Sequence, residues 1–332
     1  MRTIRLRRAE PILDICTYGR AGPSSRPLTA IQIDHIRRTV TGAPEVMIKV
    51  TGGGRSTSRR GVIAHFSYIG RQGELEIETD DGQRLAGRTA AQSLFNDWDL
   101  DLQTARQRNA LFATNGWKPP KLIHKIVFSM PAGTPPQKVL SAVRDFAREE
   151  FGARHRYAMV LHTDEPHPHV HVVVKAVSED GRRLNIRKET LRAWRMAFAS
   201  HLRRRGVEAN ATDRAVRGKG NGRKKDGIYR AALRGESTHM RERVEEAARY
   251  IAQERRPPVE PGRLTMVETR RSVTQGWLEV AKELQTQGQY RLAQRLYRFL
   301  QTMPPIATDR ERTVGDLVQR IKIRERQFGR NR

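Results

Sequence analysis

Between positions 162 and 171 the chain reads His162-Thr-Asp164-Glu-Pro-His167-Pro-His169-Val-His171, and it continues as Val172-Val-Val174. Four of the ten histidines fall in these ten residues. The β-branched run marks an extended strand. Side chains on a strand alternate faces, so His167, His169 and His171 share one face while Pro168 and Val170 take the other. Same-face neighbours stand about 6–7 Å apart, close enough for two imidazoles to close on one cation. Glu165-Pro166 favours a turn, so His162 and Asp164 come from the preceding strand or from the turn itself. A chain carrying this segment must build a sheet with an imidazole-lined face, and a divalent metal site is the natural reading. Cys16 is the only cysteine, which removes both a thiolate zinc set and a disulfide framework. Three imidazoles with open positions suit a catalytic Lewis acid. Imidazole prefers Mn²⁺, Zn²⁺, Ni²⁺ or Co²⁺ to Mg²⁺, although the abundance of Mg²⁺ can override that preference.

Charge supplies the second constraint. Sixty-three Lys and Arg against 36 Asp and Glu leave the chain at +27, far beyond what solubility requires, and call for a polyanionic partner. Nucleic acid fits best. A membrane surface fits less well, and no apolar stretch approaches the roughly 20 residues of a spanning helix. The opening Met1-Arg-Thr-Ile-Arg-Leu lacks the apolar core of a secretory signal. The expectation is a cytoplasmic protein facing DNA or RNA, with no membrane insertion.

Along the chain, residues 1–43 form a basic lead-in. Strands are expected at 46–50, 75–79, 122–130, 157–161 and 170–177, and helices at 59–69, about 88–112, 135–151 and 191–202. Strands mixed with helices, neighbouring strands antiparallel, predict an α+β fold with a central antiparallel sheet flanked by helices over 44–212. Residues 213–235 carry eight Lys or Arg against two Asp amid glycines and read as a basic linker. From 236 to 332 the pattern is all-helical, with helices at 237–255, 265–287, 289–302 and 309–327.

A metal site on so basic a chain suggests phosphodiester chemistry. No carboxylate cluster accompanies the histidines, which argues against a two-metal nuclease that activates water. Tyrosine is the other nucleophile, because a phosphotyrosine ester conserves the energy of the broken bond and can be rejoined. Seven tyrosines compete, and spacing alone does not choose among them. Tyr68 ends the first helix and is followed by Ile69-Gly70-Arg71-Gln72-Gly73. Alone, it reads as a core aromatic.

The stretch Val50-Thr-Gly52-Gly53-Gly54 followed by Phe66-Ser67-Tyr68-Ile69-Gly70-Arg71-Gln72-Gly73 resembles the first motif of plasmid-mobilisation relaxases. These belong to the HUH endonuclease superfamily, and the nearest branch is the MobA/VirD type containing the T-DNA border nickase. His162-x-Asp164-x-x-His167-Pro168-His169-Val170-His171 resembles that family's metal motif, and a weaker echo lies at 126–134. The resemblance spans roughly 45–218.

It implies that Tyr68 attacks a phosphate of single-stranded DNA at a transfer origin, leaving a 5′-phosphotyrosyl enzyme and a free 3′-hydroxyl that can be rejoined. It implies His162, His169 and His171 as ligands of a divalent metal, Mg²⁺ or Mn²⁺ first among the candidates. Asp164 would orient a ligand or help deprotonate the tyrosine, and His167 would be an outer contact or an alternative ligand. Lys175 departs from the family pattern, which has Asn there. Relaxosome accessory proteins and a type IV secretion coupling protein are implied as partners. Arg71, Lys175, Arg182, Arg183, Arg187 and Lys188 are candidate DNA contacts, whereas Trp194 reads as core. Two alternatives remain: a rolling-circle replication initiator, whose tyrosine usually follows the metal motif, and a non-catalytic basic DNA-binding module with a structural metal.

Overall fold

The computed structural model describes residues 15, 27–52, 56–101, 120–152, 154–219, 231–232, 234–253 and 259–329, with side chains of the last helix as far as Ile323. Helix α1 spans Ala30–Val40. It is followed by β1 (Met47–Thr51), α2 (Arg59–Ile69), β2 (Ile77–Thr79), β3 (Arg84–Leu85) and α3 (Ala90–Asp97). Next come β4 (Ile123–Ser129), α4 (Pro136–Glu150), β5 (Tyr157–His162), β6 (His169–Lys175) and α5 (Lys188–Arg204). The last four helices are α6 (Thr238–Ala252), α7 (Gly262–Thr286), α8 (Tyr290–Gln301) and α9 (Asp309–Gly329). The chain divides into two compact units, Gly42–Ala211 and Met1–Thr41 with Thr212–Arg332.

In Gly42–Ala211 six strands form one sheet in the order β1-β4-β6-β5-β2-β3, every pairing antiparallel. The central strands are rich in β-branched residues, as burial on both faces favours. Ile126, Phe128, Val170, Val172 and Val174 face one way and pack with Phe146 of α4 and Trp194 and Phe198 of α5. Trp194 is core, as its helical pattern predicts. Ile123, Ala158, Val160 and Val173 face the other way, beneath Val62, Phe66 and Ile69 of α2 and Leu94 and Phe95 of α3. This is the expected α+β architecture. The register puts His171 opposite Val160 on β5 and Val127 on β4. Because Val170, Val172 and Val174 fill the core under α4 and α5, His169 and His171 must lie on the α2 face. A slip of one residue would exchange the two sets, which is why burial fixes the register.

Helix α2 starts at Ser58, whose side chain accepts from the Gly61 amide at 3.2 Å, a standard N-cap. Its buried residues Val62, Phe66 and Ile69 recur at three- and four-residue spacing and anchor one face on the sheet. Tyr68 is thereby left on the exposed flank of the last turn.

The second unit is helical. Val273, Trp277, Val280 and Leu284 of α7 pack with Leu292 and Leu296 of α8 and with Ile36 of α1. Helices α6 and α9 carry cross-links Arg243–Asp309 (3.5 Å) and Arg310–Glu246 (3.0 Å). No described helix is long and apolar enough to cross a membrane. The helix expected at 88–112 begins as α3, and residues 102–119 lie outside the described residues, as do 220–230 of the expected linker.

Histidines packed in and against the sheet make stability depend on pH, and half-buried His124 is one of them. His124 on β4 has its pKa pushed down to about 4 by burial, then by Lys121 and Arg183, with the Leu184 backbone opposing. His155 and His201 are lowered too, burial again being the largest cause. A histidine whose folded pKa lies below its unfolded value binds its proton first in the unfolded chain. Stability is then full above about pH 6.5 and is lost as pH falls toward 4, the His124 share being on the order of 2–3 kcal/mol. Urea midpoints measured at pH 7.5 and pH 5 should differ accordingly, and His124→Leu should remove its part of the difference. An unchanged pH dependence in that variant would show that His124 is not the group responsible.

Candidate active site

Three strand-borne imidazoles meet at one end of the sheet. His162 ends β5, His169 begins β6 directly opposite it, and His171 follows on the same face. Ring centroids are 4.5 Å apart for His162–His171 and 5.2 Å for each of the other two pairs. One nitrogen from each ring lies within 4.8 Å of the others. A cation with metal–nitrogen distances of about 2.1 Å bridges nitrogens up to roughly 4 Å apart, so small ring rotations close the set.

The outer nitrogens are already committed. His162 Nε2–H donates to the Ile69 carbonyl at 2.7 Å, and His169 Nδ1–H donates to the His167 carbonyl at 3.0 Å. A carbonyl only accepts, so these contacts assign the tautomers and leave a lone pair on His162 Nδ1 and on His169 Nε2. Such backbone carbonyls commonly orient metal-bound histidines. Burial, then His162, His169, His65 and Arg71, push the His171 pKa down to about 3. Burial, with Arg71 and His169 reinforcing it against the Ile69 carbonyl, lowers that of His162. Neutral imidazoles are what a metal requires. The residues fit a divalent cation.

Tyr68 stands beside this triad on the last turn of α2, 46% exposed. Its ring meets His171 edge-on at 6.2 Å and stacks on His65, also at 6.2 Å. His65, which the motifs did not single out, lies three residues before Tyr68 on the same helix face, and that spacing was a usable signal. Arg71 completes the group. Its guanidinium carbon sits 5.5 Å from the Tyr68 ring centre, Nη2 approaches His162 Nδ1 at 3.3 Å, and the same group ion-pairs with Asp164. Burial pushes the Asp164 carboxyl up, but its own backbone amide, then Arg71 and the neighbouring histidines, together outweigh that and hold it below the usual range.

His167 is not brought in. Expected on the strand with the others, it lies instead in the exposed turn, because β6 starts only at His169. Pro168 has no N–H for the ladder, and its carbonyl is taken by the Met130 amide at 3.2 Å. Among the described contacts, His167 touches the triad through its main-chain carbonyl, which meets His169.

Among the proposed DNA contacts, Arg71 alone reaches Tyr68. Lys175 is 7% exposed at the far end of β6 and pairs with Glu179 at 3.0 Å. Arg182 is 85% exposed on the turn beyond, and Arg183 donates to the Lys121 carbonyl. Arg187 and Lys188 open α5 and are exposed. No described hydrogen bond or ion pair links these five to Tyr68 or the triad.

The turn after α2 is conformationally unusual. Arg71 and Gln72 have φ of 49° and 58°, and Gln72 is exposed. Gln72→Gly should therefore stabilise the fold by about 0.5–1 kcal/mol, since glycine occupies this region without a β-carbon clash. A shift of the denaturation midpoint to lower denaturant would contradict the stated backbone strain.

Residues 77–207 match the family described as Relaxase: MobA/VirD2-like, nuclease domain. That span contains the triad and Asp164 and begins after Tyr68. T-DNA border endonuclease VirD2 of Agrobacterium fabrum is 27% identical over 186 residues, covering 52% of this chain and 41% of the relative. Its counterpart in Rhizobium radiobacter is 27% identical over 195 residues (52% and 43%) and that in Rhizobium rhizogenes 26% over 186 residues (52% and 42%). The chain thus spans about two-fifths of the length of these relatives.

Proposed function

From the premise of a MobA/VirD-type relaxase, which these matches support, we propose that this protein is a site- and strand-specific DNA endonuclease. It nicks one strand at a transfer origin by tyrosine transesterification and later rejoins it, to initiate conjugative transfer or mobilisation. The observation that carries this reading is an exposed Tyr68 ring set edge-on to His171 within a triad of convergent imidazoles.

Tyr68 Oη attacks the phosphorus, its proton passing to water as the new O–P bond forms. The P–O3′ bond breaks, and the 3′-oxygen leaves as a hydroxyl after taking up a proton. A phosphotyrosyl ester remains on the 5′ side, and reversal rejoins the strand. His162, His169 and His171 would hold a divalent cation, Mg²⁺ or Mn²⁺ foremost, which neutralises charge on the phosphate as a Lewis acid. Ile69 and His167 supply the carbonyls that aim two of those rings. Arg71 adds fixed positive charge next to the phenol.

Three imidazoles would leave coordination positions open on the cation, which favours a catalytic over a structural metal. Residues 44–212 would form the nuclease domain, acting in the cytoplasm on supercoiled or single-stranded origin DNA with relaxosome proteins and a secretion coupling protein. The test is covalent capture. Origin DNA incubated with the protein and Mn²⁺ or Mg²⁺ should yield a protein–DNA adduct that survives denaturation and is absent with chelator. Tight binding without an adduct would favour the non-catalytic module.

A further inference from the structure

Arg71 occupies its position by way of a backbone conformation that its own β-carbon opposes. Two successive non-glycine residues, Arg71 and Gln72, are left-handed, and Asp99 is the only other described non-glycine residue with positive φ. The left-handed region disfavours such residues by roughly 1–2 kcal/mol each. The turn is held in place regardless. Gly73 and Leu75 donate to the Gly70 carbonyl at 2.9 and 3.0 Å, and Gly87 donates to Gly73 at 3.0 Å. Gly73 approaches Gly87 so closely that a β-carbon would come within 2.3 Å of its carbonyl carbon. Strain retained in this way collects where function needs a side chain aimed.

The strained turn directs the guanidinium onto three groups at once: the Tyr68 ring, His162 Nδ1 and the Asp164 carboxylate. The Arg71–Asp164 pair is 33% and 52% exposed, and a pair that open adds little stability by itself. The ion pair therefore does not account for the strain. A guanidinium presents five N–H donors in a planar fork suited to phosphate. One edge is engaged by Asp164, and the contact with His162 uses a lone pair that a ligand histidine must free.

Resting on the relaxase reading above, we infer that Arg71 grips the scissile phosphate beside the Tyr68 hydroxyl, and that Asp164 aims its fork rather than taking the tyrosine's proton. On entry of the strand the guanidinium keeps Asp164 and exchanges His162 Nδ1 for a non-bridging phosphate oxygen. The exchange leaves the imidazole lone pair free and adds a second positive group at the phosphate. No bond other than the hydrogen bonds changes.

A coupling cycle tests this in the full-length chain. The probe is a single-stranded oligonucleotide spanning the phosphate at which the adduct forms, either all-phosphate or with a neutral methylphosphonate at that position. Binding is read by fluorescence anisotropy in a Tyr68→Phe background with chelator present, so that neither cleavage nor metal contributes. The methylphosphonate should weaken binding about tenfold when Arg71 is present. With Arg71→Ala, binding of the all-phosphate strand should fall by a similar factor and the methylphosphonate should have almost no further effect. Arg71→Lys, which keeps the charge and loses the fork, should lie between and covers the case in which alanine unfolds the turn. Equal sensitivity to the methylphosphonate with and without Arg71 would overturn the assignment.

For Asp164, the readout is the pH profile of adduct formation with Tyr68 intact. Asp164→Asn should lower the rate at every pH and leave the profile's shape intact, whereas loss of the acid limb would make Asp164 the base. Absence of any adduct in the unmodified protein would sink the relaxase reading itself. An adduct combined with an additive cycle would remove only the role of Arg71.

Discussion

Tyr68→Phe should abolish covalent capture, lowering adduct formation by more than about 1,000-fold, while the protein remains folded and binds single-stranded DNA. The size follows from the chemistry: the substitution deletes the one atom that forms the new bond, and removal of a nucleophile leaves only what binding and charge supply. The fold should survive because the ring's neighbours do not depend on the hydroxyl. His65 stacks on the ring, His171 meets its edge and Arg71 lies over its face, and phenylalanine preserves all three arrangements. Thermal melting should match the parent. An adduct that persists would move the nucleophile elsewhere, and the sheet narrows where to look. Tyr157 is 3% exposed and packs in the α4–α5 core, on the face opposite the triad. Burial, then Asp80, raises its pKa. It is therefore a poor substitute, and Tyr18 would be tested next.

Much of this fold could be read from the residues because its elements obey simple periods. Helix α2 runs over 59–69 as its three- and four-residue spacing predicts, and α4, α5 and the four C-terminal helices fall within a few residues of expectation. The valine run set both the strand and the face on which His169 and His171 stand. The misses have physical causes. β3 is two residues long and exists only because it pairs with β2, so it has no period to detect. Helix α1 did carry a signal: Thr29 and Gln32 form a reciprocal capping box, hidden within a basic segment that otherwise lacks pattern. Alternation alone puts His167 on the strand, whereas the missing N–H of Pro168 keeps it off. By its charge, Arg71 is legible in the sequence. Its place between tyrosine, histidine and aspartate depends on a left-handed turn, and no rule of residue preference predicts that conformation at Arg-Gln.

His171→Ala should reduce divalent-metal affinity by more than about 100-fold, measured by titration calorimetry with Mn²⁺. Loss of an outer residue that merely orients a ligand typically lowers metal affinity 10–100-fold, and loss of a ligand should exceed that. His171 is the critical member because it stands between the other two parts of the site. Its ring is the nearest to His162, at 4.5 Å, and it also meets the Tyr68 edge. His167→Ala is the matched control: its side chain is exposed, while its carbonyl, which orients His169, survives the substitution. That variant should keep most of its affinity. Stability offers a readout independent of catalysis. Metal at about 100 times its dissociation constant should stabilise the parent by about 2.7 kcal/mol, and the His167 variant similarly, with little effect on the His171 variant. Equal stabilisation of all three would mean that the cation binds elsewhere. The reverse pattern, with His167 essential and His171 dispensable, would require the turn before β6 to refold around the metal, because the His167 side chain now points into solvent.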